Sequence, residues 1–172
     1  EHAGTQASKF DSKYATFPDL LEKAGYWVGY TGKGWGPGNY RDGGFARNPA
    51  GPVFSSKKKN PRISGISSND YTANFEDFLS QRPDDKPFCF WLGGHEPHRK
   101  FENGIGLKQG KKLSDVDVPA FLPDTPEIRS DILDYYAEIE WFDAHLARAL
   151  ARLDERGELD NTLVIVTSDN GM

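Results

Sequence analysis

Apolar residues follow two rhythms along this chain. In three short stretches they are nearly continuous: Tyr26 to Thr31, Pro87 to Leu92 and Leu163 to Thr167. Runs of this length, rich in β-branched and aromatic residues, predict strands buried on both faces. Elsewhere the apolar positions recur every three or four residues. Tyr71, Phe75, Phe78 and Leu79 mark one helical face between Asn69 and Gln81. Ile128, Ile132, Tyr136, Ile139, Phe142, Leu146, Leu150 and Leu153 mark a longer one. Thr16-Phe17-Pro18-Asp19 supplies a capping hydroxyl, a first-turn proline and an acid, so a helix starts there and stops at Gly25. Thr125-Pro126-Glu127 starts the longest helix, and Gly157 stops it. The stretches from Gly32 to about Ser68 and from Gly93 to about Asp124 are expected to be loops.

Apolar strands separated by helices predict an α/β fold, with a mostly parallel sheet and helices on both faces. The 172 residues suffice for one domain, 1–172, with its own core. Composition mainly excludes. With 37% hydrophobic, 27% charged and 13% aromatic residues, the chain is not a disordered type. A net charge of −5 gives no support to nucleic-acid binding. The basic run Lys57-Lys58-Lys59 reads as a solvated loop. No apolar stretch reaches the roughly 20 residues needed to span a membrane, so no membrane span is expected. The single cysteine, Cys89, rules out an internal disulfide framework and a cysteine-rich zinc site. The first residues read as neither a signal peptide nor a natural start.

In parallel sheets, ligands bind beyond the carboxyl ends of the strands. The three apolar runs are followed by Gly32-Lys33-Gly34-Trp35, by Gly93-Gly94-His95-Glu96-Pro97-His98-Arg99, and by Ser168-Asp169-Asn170-Gly171. Lys33, then His95, His98 and Arg99, then Asp169 and Asn170 would meet at one edge. A cation, imidazoles and oxygen ligands suit an oxyanion substrate beside a hard metal ion, Ca²⁺ or Mg²⁺ rather than Zn²⁺. Each motif has a plainer reading when taken alone. Lys33 lacks Walker spacing and reads equally as a solvated lysine. Pro97 favours an extended loop over a His-x-x-His metal pair. Asp-Asn-Gly is also a common turn. The coincidence at one edge is what favours chemistry.

Those residues resemble the sulfatase family. Phe17 to Trp35 is similar to the segment that carries the family's active-site lysine. Lys86 to Arg99 is similar to its strand and following His-x-Pro-His stretch. Tyr135 to Gly171 is similar to its helix, strand and metal-binding Asp-Asn. The His-Glu-Pro-His-Arg form looks most like the heparan N-sulfatase (sulfamidase) branch. The resemblance implies an alkaline-phosphatase-like α/β fold. It implies hydrolysis of a sulfate ester or sulfamate, on a sulfated carbohydrate such as a glycosaminoglycan, with bound Ca²⁺ (Mg²⁺ as the alternative). By this matching Lys33 and His95 are catalytic contacts to the sulfate. Asp169 and Asn170 bind the metal. His98 and Arg99 shape the substrate pocket, together with Trp35, which stands where the family commonly has a histidine.

The family's nucleophile is a formylglycine made from cysteine in Cys-x-Pro-x-Arg. Cys89 sits in Cys-Phe-Trp-Leu-Gly instead and is expected to be a small core residue. The nucleophile is therefore expected upstream, the chain is expected to be an internal piece of the catalytic domain, and by itself it should be inactive. A secreted, periplasmic or lysosome-like location is what the family suggests. Three other readings stay open: a phosphodiesterase or phosphonate hydrolase of the same superfamily, a non-catalytic anion- or glycan-binding relative, and an ordinary α/β domain.

Overall fold

Two parallel strands and the helices laid against them form the centre of the computed structural model, which describes residues 8–36 and 38–168. β1 (Trp27–Gly32) and β2 (Phe88–Gly93) pair in parallel, from Trp27 opposite Phe88 to Gly32 opposite Gly93. Alternation sends Trp27, Phe88, Phe90 and Leu92 to one face. There they pack on Phe54, on Phe75, Phe78 and Leu79 of α2 (Tyr71–Gln81), and on Ala149 and Leu153 of α4 (Pro126–Glu155). Phe78 sits 4.6 Å from Phe90, ring centre to ring centre. Burying each such ring contributes on the order of 2 kcal/mol. Gly29 makes this possible: a Cβ there would lie 2.9 Å from the rings of both Phe54 and Phe78.

The opposite face is covered by α1 (Phe17–Lys23), where Phe17 meets Trp91 at 6.4 Å, and by the segment around Gly51, which lies against Val28. Helices thus lie on both faces of the parallel pair. At the start of α1 the Asp19 carboxylate accepts the Thr16 N–H at 3.2 Å and the Thr16 hydroxyl at 2.7 Å. Asp70 caps α2 by accepting from the Ala73 N–H at 3.1 Å. Arg82, just past α2, makes two 2.8 Å bonds to Glu158 beyond α4, clasping those helix ends together.

Three expectations are corrected. Leu163 to Thr167 is not a strand: no neighbour pairs with it among the described residues, and Leu163, Ile165 and Val166 are 85%, 76% and 70% exposed. An extended apolar run becomes a strand only when another backbone takes its hydrogen bonds. The stretch after Gly93 is not all loop. It holds α3 (Ile105–Lys108) and a 3₁₀ turn, Leu113–Asp115, over a second core of Val116, Ile132 and Leu133. A single helical turn is too short to show a period. The buried face of α4 is also rotated from the predicted stripe. Ile139 is 39% exposed, while Asp134, Glu138 and His145 are buried. Asp134 is accounted for, since it accepts the Gly104 and Gly106 N–H groups at 2.8 and 2.9 Å and so anchors the start of α3.

Candidate functional site

β1 and β2 end level with each other, and their exits run side by side. The Lys33 N–H donates to the Gly93 carbonyl at 2.8 Å. Gly32 turns the first exit with φ +66°, and a Cβ on it would lie 2.0 Å from the Gly93 oxygen. Two of the expected catalytic residues, Lys33 and His95, therefore leave adjacent strand ends, both with side chains open to solvent. Trp35 packs against Phe10 and Phe45, at 5.7 and 5.5 Å between ring centres, and forms an aromatic wall beyond Lys33.

The second exit is held from below. The His95 N–H donates to the Tyr71 hydroxyl at 3.0 Å. That hydroxyl donates to Glu96 Oε2 at 2.8 Å, and Glu96 Oε1 accepts the Ser67 N–H at 2.8 Å. The His95 imidazole has a lowered proton affinity. The packed protein behind it disfavours the cation, and Lys33, His98 and Lys58 add positive charge against the opposing pull of Glu96. His95 is thus neutral at pH 7, with one N–H to donate and one lone pair to accept.

His98 closes a turn, its N–H donating to the His95 carbonyl at 3.1 Å, and its side chain is exposed. Arg99 forms a two-point ion pair with Asp131 of α4, one arm at 2.8 Å, and lies 4.6 Å from the centre of the Phe101 ring. Asp169 and Asn170 lie outside the described residues. Among the described residues, no three His, Cys, Asp or Glu side chains converge to hold a metal. No described helix is long and apolar enough to cross a membrane. Cys89 is half-buried within β2, and burial pushes its thiol up, away from the reactive thiolate.

Several residues escaped the sequence reading. Lys58 belongs to the run expected to be a solvated loop, yet it is tethered to Asn69 and bears on His95. Nothing in its spacing marks it. Tyr71 was counted as an apolar stripe residue, although a buried tyrosine hydroxyl must find a partner, and that is a usable signal. His145 is 1% exposed, with Nδ1 3.2 Å from Thr72 Oγ1, and burial lowers its proton affinity. Glu138 is also 1% exposed, and neither of its oxygens has a hydrogen-bond partner among the described residues. Burial, and secondarily Glu96, raises it to about 7.

The sulfatase family pattern matches residues 2–172. Human N-sulphoglucosamine sulphohydrolase is 32% identical over 96% of this chain and 36% of its own length. An uncharacterized sulfatase of Escherichia coli K12, YdeN, is 30% identical over 51% of this chain and 13% of its own. The chain thus spans about a third or less of the curated relatives it matches. On the whole-chain match, and on an α/β core with Lys33 and His95 at neighbouring strand ends, the chain belongs to the sulfatase family of hydrolases.

Proposed function

We propose that this chain forms the oxyanion-holding part of a sulfatase active site, in a hydrolase that acts on a sulfate ester or sulfamate of a sulfated sugar or glycosaminoglycan. The observation that carries this reading is the backbone bond from Lys33 to Gly93, which keeps the lysine and the His95 loop together at the strand ends. Lys33 neutralises sulfate oxygens as a point charge. His95, neutral when the site is empty, donates its N–H to a sulfate oxygen. The arriving anion offsets the surrounding lysines and favours protonation, so the ring can pass a proton to the departing oxygen or nitrogen. Trp35, His98 and Arg99 line the sugar side, Arg99 being steadied by Asp131.

Asp169 and Asn170 would hold Ca²⁺, or Mg²⁺, which supplies further charge neutralisation. The attacking oxygen would come from a formylglycine outside this chain, because Cys89, half-buried in β2, lacks the Cys-x-Pro-x-Arg setting. The 172-residue chain alone should therefore show no turnover. A secreted, periplasmic or lysosome-like location fits such a substrate. The name of the human relative, a sulphohydrolase of N-sulphoglucosamine, supports a sulfated amino sugar as the first substrate to try.

The test is free-sulfate release by the complete polypeptide that carries this segment, given N-sulfated and O-sulfated glucosamine, with phosphate mono- and diesters in parallel. Sulfate release that needs Lys33 and His95 is the expected result. Turnover of phosphate esters alone would replace this reading by a phosphoesterase. Binding of sulfated sugar without turnover would replace it by a glycan-binding relative.

A further inference from the structure

His95 rides on a loop, and loops wander unless something fixes them. Tyr71 is fully buried, with Phe142 and His145 edge-on to its ring at 5.7 and 5.2 Å. The same ring lies under the turn next to Lys33, where a Cβ on Gly32 would come 3.0 Å from Tyr71 Cε1. One side chain thus touches the base of both exits. Phenylalanine would fill this space equally well. What tyrosine adds is a hydroxyl at a junction: it accepts the His95 N–H at 3.0 Å and gives its own proton to Glu96 at 2.8 Å. Burial holds the phenol well above its usual value, so that proton stays on the oxygen. Glu96 is 9% exposed, and its second oxygen takes the Ser67 N–H at 2.8 Å, which closes the circuit between α2, the segment before it and the β2 exit.

We propose that Tyr71 and Glu96 are positioning residues for His95: Tyr71 pins the His95 backbone to α2 so that the imidazole stands beside Lys33 when an anion enters, and Glu96 orients Tyr71. This rests on the sulfatase reading, in which His95 touches the sulfate. Neither residue touches the substrate. The charged and titratable groups that face His95 are Glu96 and His98 from its own loop, Lys33 from the β1 exit and Lys58 from the segment before α2.

The experiment compares Tyr71→Phe and Glu96→Gln with the parent in the complete polypeptide, using N-sulfated glucosamine from pH 4 to 8. Tyr71→Phe keeps the ring and removes the hydroxyl. It should lower kcat about 10- to 100-fold, leave KM within about twofold, and leave the alkaline limb of the pH profile in place. Glu96→Gln removes a charge that favours imidazolium, so it should lower kcat and also move the alkaline limb, where His95 loses its proton, to lower pH. A merely structural role would lower the melting temperature without this split between the two profiles. Folded Tyr71→Phe with kcat within twofold of the parent would overturn the proposal, as would a loss carried entirely by KM. If Tyr71→Phe does not fold, loss of kcat with KM unchanged in Glu96→Gln decides.

Hydrogen exchange at the His95 amide, measured on the same proteins, separates the two readings. If the parent releases no sulfate, the sulfatase reading fails. Positioning then stands on at least tenfold faster exchange at His95 in Tyr71→Phe, or in Glu96→Gln should Tyr71→Phe not fold, and falls if exchange in that variant is unchanged.

Discussion

The chain leaves β1 and β2 at the same height, but the two exits are held differently. After β1, the backbone of Lys33 rests on Gly93, and Trp35 wedges against Phe10 and Phe45. Its polar hold is slight, the Gly32 N–H reaching Ser55 Oγ at 3.5 Å beside the buried Thr31. After β2, a buried tyrosine and a nearly buried glutamate grip the His95 loop, with a second buried carboxyl, Glu138, close enough to Glu96 to feel its charge. On the proposed reading, the difference follows from what each side chain would do. An ammonium acts as a point charge on a flexible stem and needs only reach. An imidazole donates along one direction and needs aim, and aim is secured by buried hydrogen bonds. The aimed exit is therefore the one that burdens the fold with buried charge.

The largest expected effect tests that division of labour. In the complete polypeptide, His95→Ala should lower kcat for sulfate release by about 10²- to 10⁴-fold. Lys33→Met should cost about 10²- to 10³-fold, the usual loss of one oxyanion contact. Lys33→Arg should recover part of it, because reach suffices there. His95→Lys should recover nothing.

The burden of the aimed exit is tested next. Folded Glu138 keeps its proton up to about pH 7, whereas the unfolded chain releases it near the ordinary 4.5. The folded state therefore holds the extra proton in that window, and stability falls as pH rises through it and levels off above. The loss is on the order of 3 kcal/mol. His145 slopes the other way, since burial lowers its proton affinity and stability is lost as pH falls below its ordinary 6.5. The informative quantity is thus the difference between parent and Glu138→Gln in urea unfolding, from pH 4.5 to 8. It should grow with pH in favour of the variant. A difference independent of pH would remove Glu138 from this account.

At the β1 exit, Gly32→Ala meets both a positive φ and a carbonyl at 2.0 Å. It should cost about 2 kcal/mol or more in chemical unfolding. The smallest effect should come from Lys58→Ala. As an exposed charge tethered to Asn69, it should raise KM for an anionic substrate a few-fold at low salt, and less at high salt. An effect equal to that of Lys33→Met would show that the aimed exit also relies on reach.

What could be read from the sequence follows the range of the forces involved. β1, β2 and the starts of α1 and α4 were legible because Thr16, Thr125 and the apolar runs act within a few residues of themselves. The proximity of Lys33 and His95 was expected from the rule that ligands meet at strand ends, and β1 and β2, which lead to them, do end side by side. The grip on His95 was not. Ser67 lies 29 positions from Glu96, and Tyr71 24 positions from His95, so no local period joins them. Ile139 was assigned inward because a stripe counts apolarity alone, whereas Glu138 and His145 are buried at the expense of that pattern. The run at Leu163 was read as a strand because its composition is that of one, but pairing depends on a partner rather than on composition.

That open run has a practical consequence. Leu163 to Thr167 is an uncharged, proline-free stretch of high β propensity facing water, and in concentrated solution another copy of itself is a ready partner. Solubility on the bench should be sensitive to these few residues. A lysine at Ile165, which is 76% exposed, should keep the protein in solution at higher concentration while leaving both exits untouched.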